Sequence, residues 1–196
     1  MNKIQAQQLL KTALANPKAE FRDGQWEAID ALVNHRQKLL VVQRTGWGKS
    51  SVYFISTKIF RDRGMGPTII VSPLLALMRN QIESAQRLGV VAETMNSTNQ
   101  NDWQAVTRRV LNNKIDCLLI SPERLANDSF IETVLQPIAD KIALMVIDEA
   151  HCISDWGHDF RPEYQKLGVL AERFPQIPRV ALTATADERT RTDIIA

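Results

Sequence analysis

Two groups of residues have the types and spacing that chemistry on a phosphate ester needs. The first lies in Leu39-Leu40-Val41-Val42-Gln43-Arg44-Thr45-Gly46-Trp47-Gly48-Lys49-Ser50, an apolar run, then a turn with two glycines, then the start of a helical pattern. Glycines in such a turn let backbone N–H groups face phosphate oxygens, and the helix N-terminus behind them adds positive potential. Lys49 would reach the β- and γ-phosphates, and the Ser50 hydroxyl would hold Mg²⁺. The strict pattern G-x-x-x-x-G-K-[ST] has its first glycine at position 43, where this chain carries Gln43. On this motif alone, a Gly-Lys-Ser that merely turns a loop stays open as the alternative.

The second group, Asp148-Glu149, closes the apolar run from Ile142 to Ile147. Asp148 at a strand tip can hold the magnesium shell through water, and Glu149 can polarise the water that attacks a γ-phosphate. An Asp-Glu pair after a strand is often only a solvated loop start. Paired with Gly48-Lys49-Ser50 on another strand, it points to a two-part nucleotide-hydrolysing site. A third apolar run, Val180-Ala181-Leu182, ends in Thr183-Ala184-Thr185. Those hydroxyls could relay the presence of the γ-phosphate to a moving part, or could satisfy strand-end amides.

Elements able to position these groups are visible as short apolar runs alternating with helical periodicity. The runs are 39–42, 68–71, 90–94, 116–120, 142–147 and 179–182, several apolar almost throughout, as strands covered on both faces should be. Between them, Val52, Ile55 and Ile59 share one face of a helix over 50–61, and segments 74–88 and 102–111 read similarly. Strand, helix, strand, repeated, predicts an α/β fold with a parallel sheet and helices on both faces. Residues up to about Pro17 read as a helix ahead of the sheet. Residues 187–196 read as a helix without a stop signal, so the end of the chain is expected to be a boundary within a longer protein.

The bulk composition agrees with one globular domain: 196 residues, 44% hydrophobic and 23% charged. A formal net charge of +2 neither marks nor excludes a nucleic-acid partner, because basic groups can cluster locally. Cys117 and Cys152 form no zinc-ligand pattern and no disulfide framework, which fits a reducing, cytoplasmic setting. No apolar run approaches the ~18 residues of a membrane span, and the first twenty residues lack a signal-peptide core.

Trp156, Phe160 and Tyr164 recur at four-residue spacing after the carboxylates, accompanied by Arg161, His151 and His158. Aromatic faces stack on unpaired bases for ~1–3 kcal/mol each, and arginine pairs with phosphate. A small buried aromatic cluster under a long loop is the alternative. His35 and Trp26 read as packing or surface residues, and Trp103 as the residue that docks its polar helix on the sheet.

Taken together, these segments resemble the first motor domain of RecQ-family DNA helicases, within the wider DEAD/DEAH helicase superfamily. The resemblance runs from about Phe21 to the C-terminus. Its most specific stretch is Asp148-Glu149-Ala150-His151-Cys152-Ile153-Ser154-Asp155-Trp156-Gly157-His158-Asp159-Phe160-Arg161-Pro162-Glu163-Tyr164. The resemblance implies a RecA-like ATP-binding domain over residues 18–196 behind a helical segment 1–17, with ATP and Mg²⁺ as cofactors. It implies an ATP site of Phe21, Arg22, Gln25, Thr45, Gly46, Trp47, Gly48, Lys49, Ser50 and Ser51, in which Gln25 reads the adenine edge and Arg22 assists. Lys49, Asp148 and Glu149 are then catalytic, with Ser50 and Asp148 at the metal.

For DNA, the resemblance implies backbone contacts by Ser72-Pro73 and by Arg124 of Ser121-Pro122-Glu123-Arg124-Leu125. Coupling to hydrolysis would fall to His151, Trp156, His158, Phe160, Arg161, Thr183 and Thr185. The implied activity is 3′→5′ unwinding, with single-stranded DNA and the duplex junction as partners and a second RecA-like domain of the same longer chain completing the site. An RNA helicase or remodeller of the superfamily, and a nucleotide-binding regulatory module, are the competing readings. Three positions depart from the family's pattern: Lys18 replaces the aromatic residue that stacks on adenine, Arg44 replaces a proline, and Trp47 sits between the loop glycines. A residue as large as Trp47 is expected to reshape the mouth of the phosphate site.

Overall fold

Strands that are apolar at consecutive positions must be covered on both faces, and the molecule is built around such strands. The computed structural model describes residues 1–44, 46–95, 101–125, 127–153, 172, 175–184 and 194–195. Its strands are β1 (Lys38–Val42), β2 (Thr68–Val71), β3 (Ala92–Met95), β4 (Cys117–Ile120), β5 (Leu144–Ile147) and β6 (Arg179–Thr183). They form one sheet in the order β1-β6-β5-β2-β4-β3, with every neighbouring pair parallel. Every residue of β2, β4 and β5 is buried.

Alternate strand residues feed two separate cores, as the period of two requires. Ile70, Leu119, Val146 and Val180 pack with Leu10, Ile29, Val52, Ile55, Ile59 and Ala85. The latter come from α1 (Lys3–Ala13), α2 (Gln25–Val33), α3 (Lys49–Asp62) and α4 (Arg79–Arg87). Ile69, Leu118, Met145 and Ala181 point the other way, against Val106 and Val110 of α5 (Trp103–Leu111) and against Phe130, Val134 and Ile138. The expected doubly covered parallel sheet is thus present. At the chain start, Asn2 and Gln5 cap α1 reciprocally, and Leu10 and Ala13 bury its inner face in the first core.

Several boundaries differ from the sequence expectation for identifiable reasons. β3 begins at Ala92 because Val90 and Val91 are already engaged: Val90 N–H donates to the Ala85 carbonyl behind α4, and Val91 N–H to the Asp116 carboxylate at 2.7 Å. β5 begins at Leu144 because Ile142 N–H donates to Ile138 and Ala143 N–H to Pro67. The segment 74–88 is not one helix. A 3₁₀ turn over Leu75–Leu77 precedes α4, with Leu77 and Met78 bonded to the carbonyls three residues back. Between β4 and β5, where no sustained period is present, lie α6 (Pro122–Leu125), α7 (Asp128–Phe130), a π turn (Ile131–Leu135) and α8 (Gln136–Ile138). No helix among the described residues is long and apolar enough to cross a membrane.

At the edge where the strands begin, one arginine ties the C-terminal end of α3 to two strand entries. Arg61 Nε donates to Asp116 Oδ1 at 2.6 Å, and its two terminal nitrogens reach Asn113 Oδ1, the Asn113 carbonyl and the Met65 carbonyl. The other Asp116 oxygen holds Val91 N–H. Arg61→Ala therefore strands a largely buried carboxylate and is expected to cost about 2–3 kcal/mol in denaturant unfolding. Arg61→Lys should recover only part of this, because a point charge cannot serve the same fork of acceptors. A loss below about 0.5 kcal/mol in Arg61→Ala would show that solvent replaces the network.

Candidate functional site

Because all strands are parallel, their C-terminal ends share one edge, where ligands of open α/β sheets bind. The order β1-β6-β5-β2 lines up the exits of four strands there. Gln43 N–H donates to the Thr183 carbonyl at 3.0 Å, joining the exits of β1 and β6. Asp148 N–H donates to the Val71 carbonyl at 2.9 Å, joining those of β5 and β2. Gly46–Ser50, Asp148-Glu149, Thr183 and Ser72, far apart in sequence, therefore stand along one edge.

The phosphate loop leads from β1 into α3, whose first residue is Lys49. Gly48 has φ +92°, which L side chains rarely adopt, and a Cβ there would lie 2.5 Å from Gln25 Nε2. Lys49 Nζ donates to the Arg44 carbonyl across the loop at 3.4 Å, while Ser50 and Ser51 are half-buried in the first turn of α3. Thr45 lies outside the described residues.

Gln25 is buried, 3% exposed, and both ends of its carboxamide are engaged. Its oxygen accepts from Arg22 N–H at 2.7 Å, and its nitrogen donates to the Trp47 carbonyl at 2.9 Å and the Gly48 carbonyl at 3.2 Å. The Arg22 guanidinium donates to the Gly46 carbonyl. In this structure Gln25 and Arg22 thus brace the phosphate loop, and the Gln25 carboxamide is engaged at both ends by the chain itself. Phe21 is half-buried and tilted against Trp26, with ring centres 6.4 Å apart. Trp47 corrects the expectation of a residue at the mouth of the site: its side chain is buried, and its indole N–H donates to the Asp23 carbonyl at 3.0 Å.

Asp148 accepts from the Ser72 hydroxyl at 3.1 Å and from Glu149 N–H at 3.0 Å. Burial pushes its carboxyl above the usual carboxylate range, and the adjacent Glu149 charge pushes the same way. The Ser72 and Glu149 N–H bonds, with the Lys49 charge, pull it back. Ser72 is itself fully buried and faces Asp148. It therefore orients a carboxylate and offers no surface to nucleic acid, contrary to the expectation. Half-buried Pro73 and exposed Leu74 and Leu77 form the surface after β2.

Glu149 has φ +52°, a costly conformation for a non-glycine residue, which turns the chain sharply at the end of β5. One carboxylate oxygen lies 3.5 Å from His151 Nδ1, and the same nitrogen lies 2.8 Å from Thr183 Oγ1. His151 and Thr183, expected as coupling residues, thus meet each other and the edge of Glu149. Trp156, His158, Phe160, Arg161, Tyr164 and Thr185 lie outside the described residues.

Arg124 stands after β4, further along the same edge, with its guanidinium 3.7 Å from the Trp103 ring centre and 4.9 Å from that of Phe130. Burial lowers its pKa from the ordinary arginine value, and its Nε has no hydrogen-bond partner among the described residues. These rings border a groove of about 720 Å³ that includes Arg108 and Asn127. Trp103 therefore does more than dock α5, since it also carries the arginine. The signal was a tryptophan at the first position of a helix that follows the exit of β3.

The chain matches the DEAD/DEAH box helicase family over residues 22–194. It is 43% identical over 89% of its length to the ATP-dependent DNA helicase RecQ of Haemophilus influenzae, of which it covers 27%. It is 38% identical to the ATP-dependent helicase SGS1 of Saccharomyces cerevisiae over 89% of its length, covering 12% of that relative. The chain thus spans about a quarter or less of the length of these relatives. Among solved structures, it superposes with TM-score 0.66 and 19% identity on a hypothetical ATP-dependent RNA helicase from Sulfolobus tokodaii, covering 100% of this chain and 54% of that one. The Hef helicase domain of Pyrococcus furiosus gives TM-score 0.62 and 18% identity, covering 87% of this chain and 34% of that one. At these identities the structural likeness speaks to the fold alone.

Proposed function

Since this chain belongs to the DEAD/DEAH box helicase family, with RecQ helicases among its relatives, we propose that it is the first ATP-binding motor domain of a 3′→5′ DNA helicase. Residues 18–196 form the motor unit in this reading, and a second RecA-like domain completes the site. The observation that carries the reading is the convergence of the phosphate loop, Asp148-Glu149 and Thr183 on the adjoining exits of β1, β5 and β6. In this arrangement Lys49 leaves the Arg44 carbonyl for the β- and γ-phosphates, and the N–H groups of the loop surround the phosphate oxygens. Glu149 takes the proton of the attacking water. His151 and Thr183, already in contact, pass the state of the γ-phosphate from β5 to β6.

The residues at this edge fit a magnesium ion. Ser50 opens α3 beside Lys49, and the raised pKa of Asp148 marks a carboxylate whose charge a cation would relieve. A hydroxyl and a carboxylate suit a hard ion that keeps several of its waters. Held by Ser50 and Asp148, Mg²⁺ would offset the negative charge that develops on the phosphates during transfer. On the nucleic-acid side, Arg124, fixed between two rings, takes a backbone phosphate, while Trp156, Phe160 and Arg161 sense unpaired bases.

The decisive experiment is Lys49→Ala in the full-length protein, with phosphate release measured with and without single-stranded DNA. Turnover should fall to background in both conditions and ATP binding should weaken, because the phosphate charge loses its partner. Unchanged DNA-stimulated turnover would remove the site assignment. Stimulation of the unaltered protein by RNA in preference to DNA would move the reading to an RNA helicase.

A further inference from the structure

Trp47 sits between the two loop glycines, and its side chain is turned into the protein core. Its indole N–H is satisfied by the Asp23 carbonyl at 3.0 Å. Its ring lies close over Gly24, where an added Cβ would stand 3.5 Å from ring atom Cζ2. Gly24 has φ +89°, so this turn is shaped for a residue without a side chain. From the other direction, Gln25 donates to the Trp47 and Gly48 carbonyls and Arg22 to the Gly46 carbonyl.

Three consecutive carbonyls, those of residues 46 to 48, are therefore drawn toward the turn 22–25. In a trans peptide the N–H points opposite to the C=O it follows. The Gly48 and Lys49 N–H groups, which follow the Trp47 and Gly48 carbonyls, are consequently turned away from that segment. Trp47 N–H itself closes the loop on the Arg44 carbonyl at 3.2 Å. The loop is shaped by contacts on its outer side before any phosphate arrives.

We propose that Trp47 is a positioning residue for the phosphate loop, a bolt to the 22–25 turn that sets phosphate affinity without contacting the base. The inference rests on the ATP-site reading above. Without the bolt, the loop must be ordered at the moment of binding. Fixing even one residue's backbone costs enough to weaken binding about tenfold. The effect falls on the ground state, so it should appear in KM and not in kcat.

The test uses the full-length protein with Trp47→Ala and Trp47→Phe, measuring KM and kcat for ATP and the inhibition constant of inorganic pyrophosphate. Trp47→Ala should raise both KM and the pyrophosphate constant about 10-fold while kcat stays within about twofold. Trp47→Phe, which keeps a ring but loses the N–H donor, should raise both about 3-fold. If Trp47→Ala does not fold, Trp47→Phe decides alone. Unchanged constants would overturn the proposal. So would a rise in KM with pyrophosphate unaffected, which would mean that the indole acts on the base, or a fall in kcat at constant KM. Lys49→Ala, read through pyrophosphate displacement of a fluorescent ATP analogue because its turnover is at background, separates the two levels: if pyrophosphate competes as well as in the unaltered protein, the site assignment fails, whereas its expected loss beside normal Trp47 variants sinks only the bolt.

Discussion

Glu149→Gln in the full-length protein should still bind ATP while its turnover falls by ~10²–10⁴, the range a positioned general base contributes. The substitution keeps the size and the planar end of the side chain and removes the group that accepts a proton. The surroundings support this separation of roles. Asp148, more deeply placed, is held by Ser72 and by the Glu149 amide, a backbone bond that the substitution leaves in place. The Glu149 carboxylate instead reaches the site's surface, 28% exposed, with His151 Nδ1 at 3.5 Å. The left-handed backbone of Glu149, φ +52°, is available to glutamine at the same cost. Equilibrium binding of a fluorescent ATP analogue, set beside phosphate release, is the measurement. If affinity drops as far as turnover, Glu149 holds the site together and the general-base assignment fails.

What the sequence revealed and what it concealed divide by the range of the interactions involved. The strands were legible because burial on both faces makes residues such as Ile69-Ile70-Val71 and Leu118-Leu119-Ile120 apolar in succession, a local property. Lys49, Asp148 and Glu149 were legible because phosphate chemistry demands those types, and each ends or follows an apolar run. The task of Ser72 was not legible: whether a serine at a strand exit faces solvent or a carboxylate depends on which strand lies beside it, here β5 beside β2. The resemblance implies nucleotide contacts for Gln25 and Trp47, and the structure shows each of them holding the other's segment beside the phosphate loop. Their bonds to each other's segment span more than twenty residues of chain, and nothing in either segment announces them. Trp103 and Phe130 gained their task from Arg124, which reaches them from another helix. Pairing of that kind is set by tertiary packing, which periodicity does not encode.

The largest effect is expected for residues 1–196 purified alone, which should hydrolyse ATP ~10³–10⁵-fold more slowly than the full-length protein and unwind no DNA. The magnitude is that of an arginine supplied to the γ-phosphate as charge spreads over its oxygens. Two cations of this chain beside the phosphate loop are already committed, Lys49 to the Arg44 carbonyl and Arg22 to the Gly46 carbonyl. Lys49 is freed by the phosphates it binds, whereas Arg22 is one of the braces that give the loop its shape. In the two-domain reading proposed above, the facing domain supplies the further positive charge. Nucleotide binding should persist, though weakly, because the loop and the carboxylates are built from this chain alone. DNA affinity should be low and should fall less steeply with salt than that of the full-length protein, since half of a backbone track releases fewer counterions. Single- and multiple-turnover phosphate release by the two proteins at matched ATP, with a duplex-unwinding assay, reads the difference directly. A multiple-turnover rate for residues 1–196 equal to that of the full-length protein would show that this domain completes its own site, and the two-domain reading would fall.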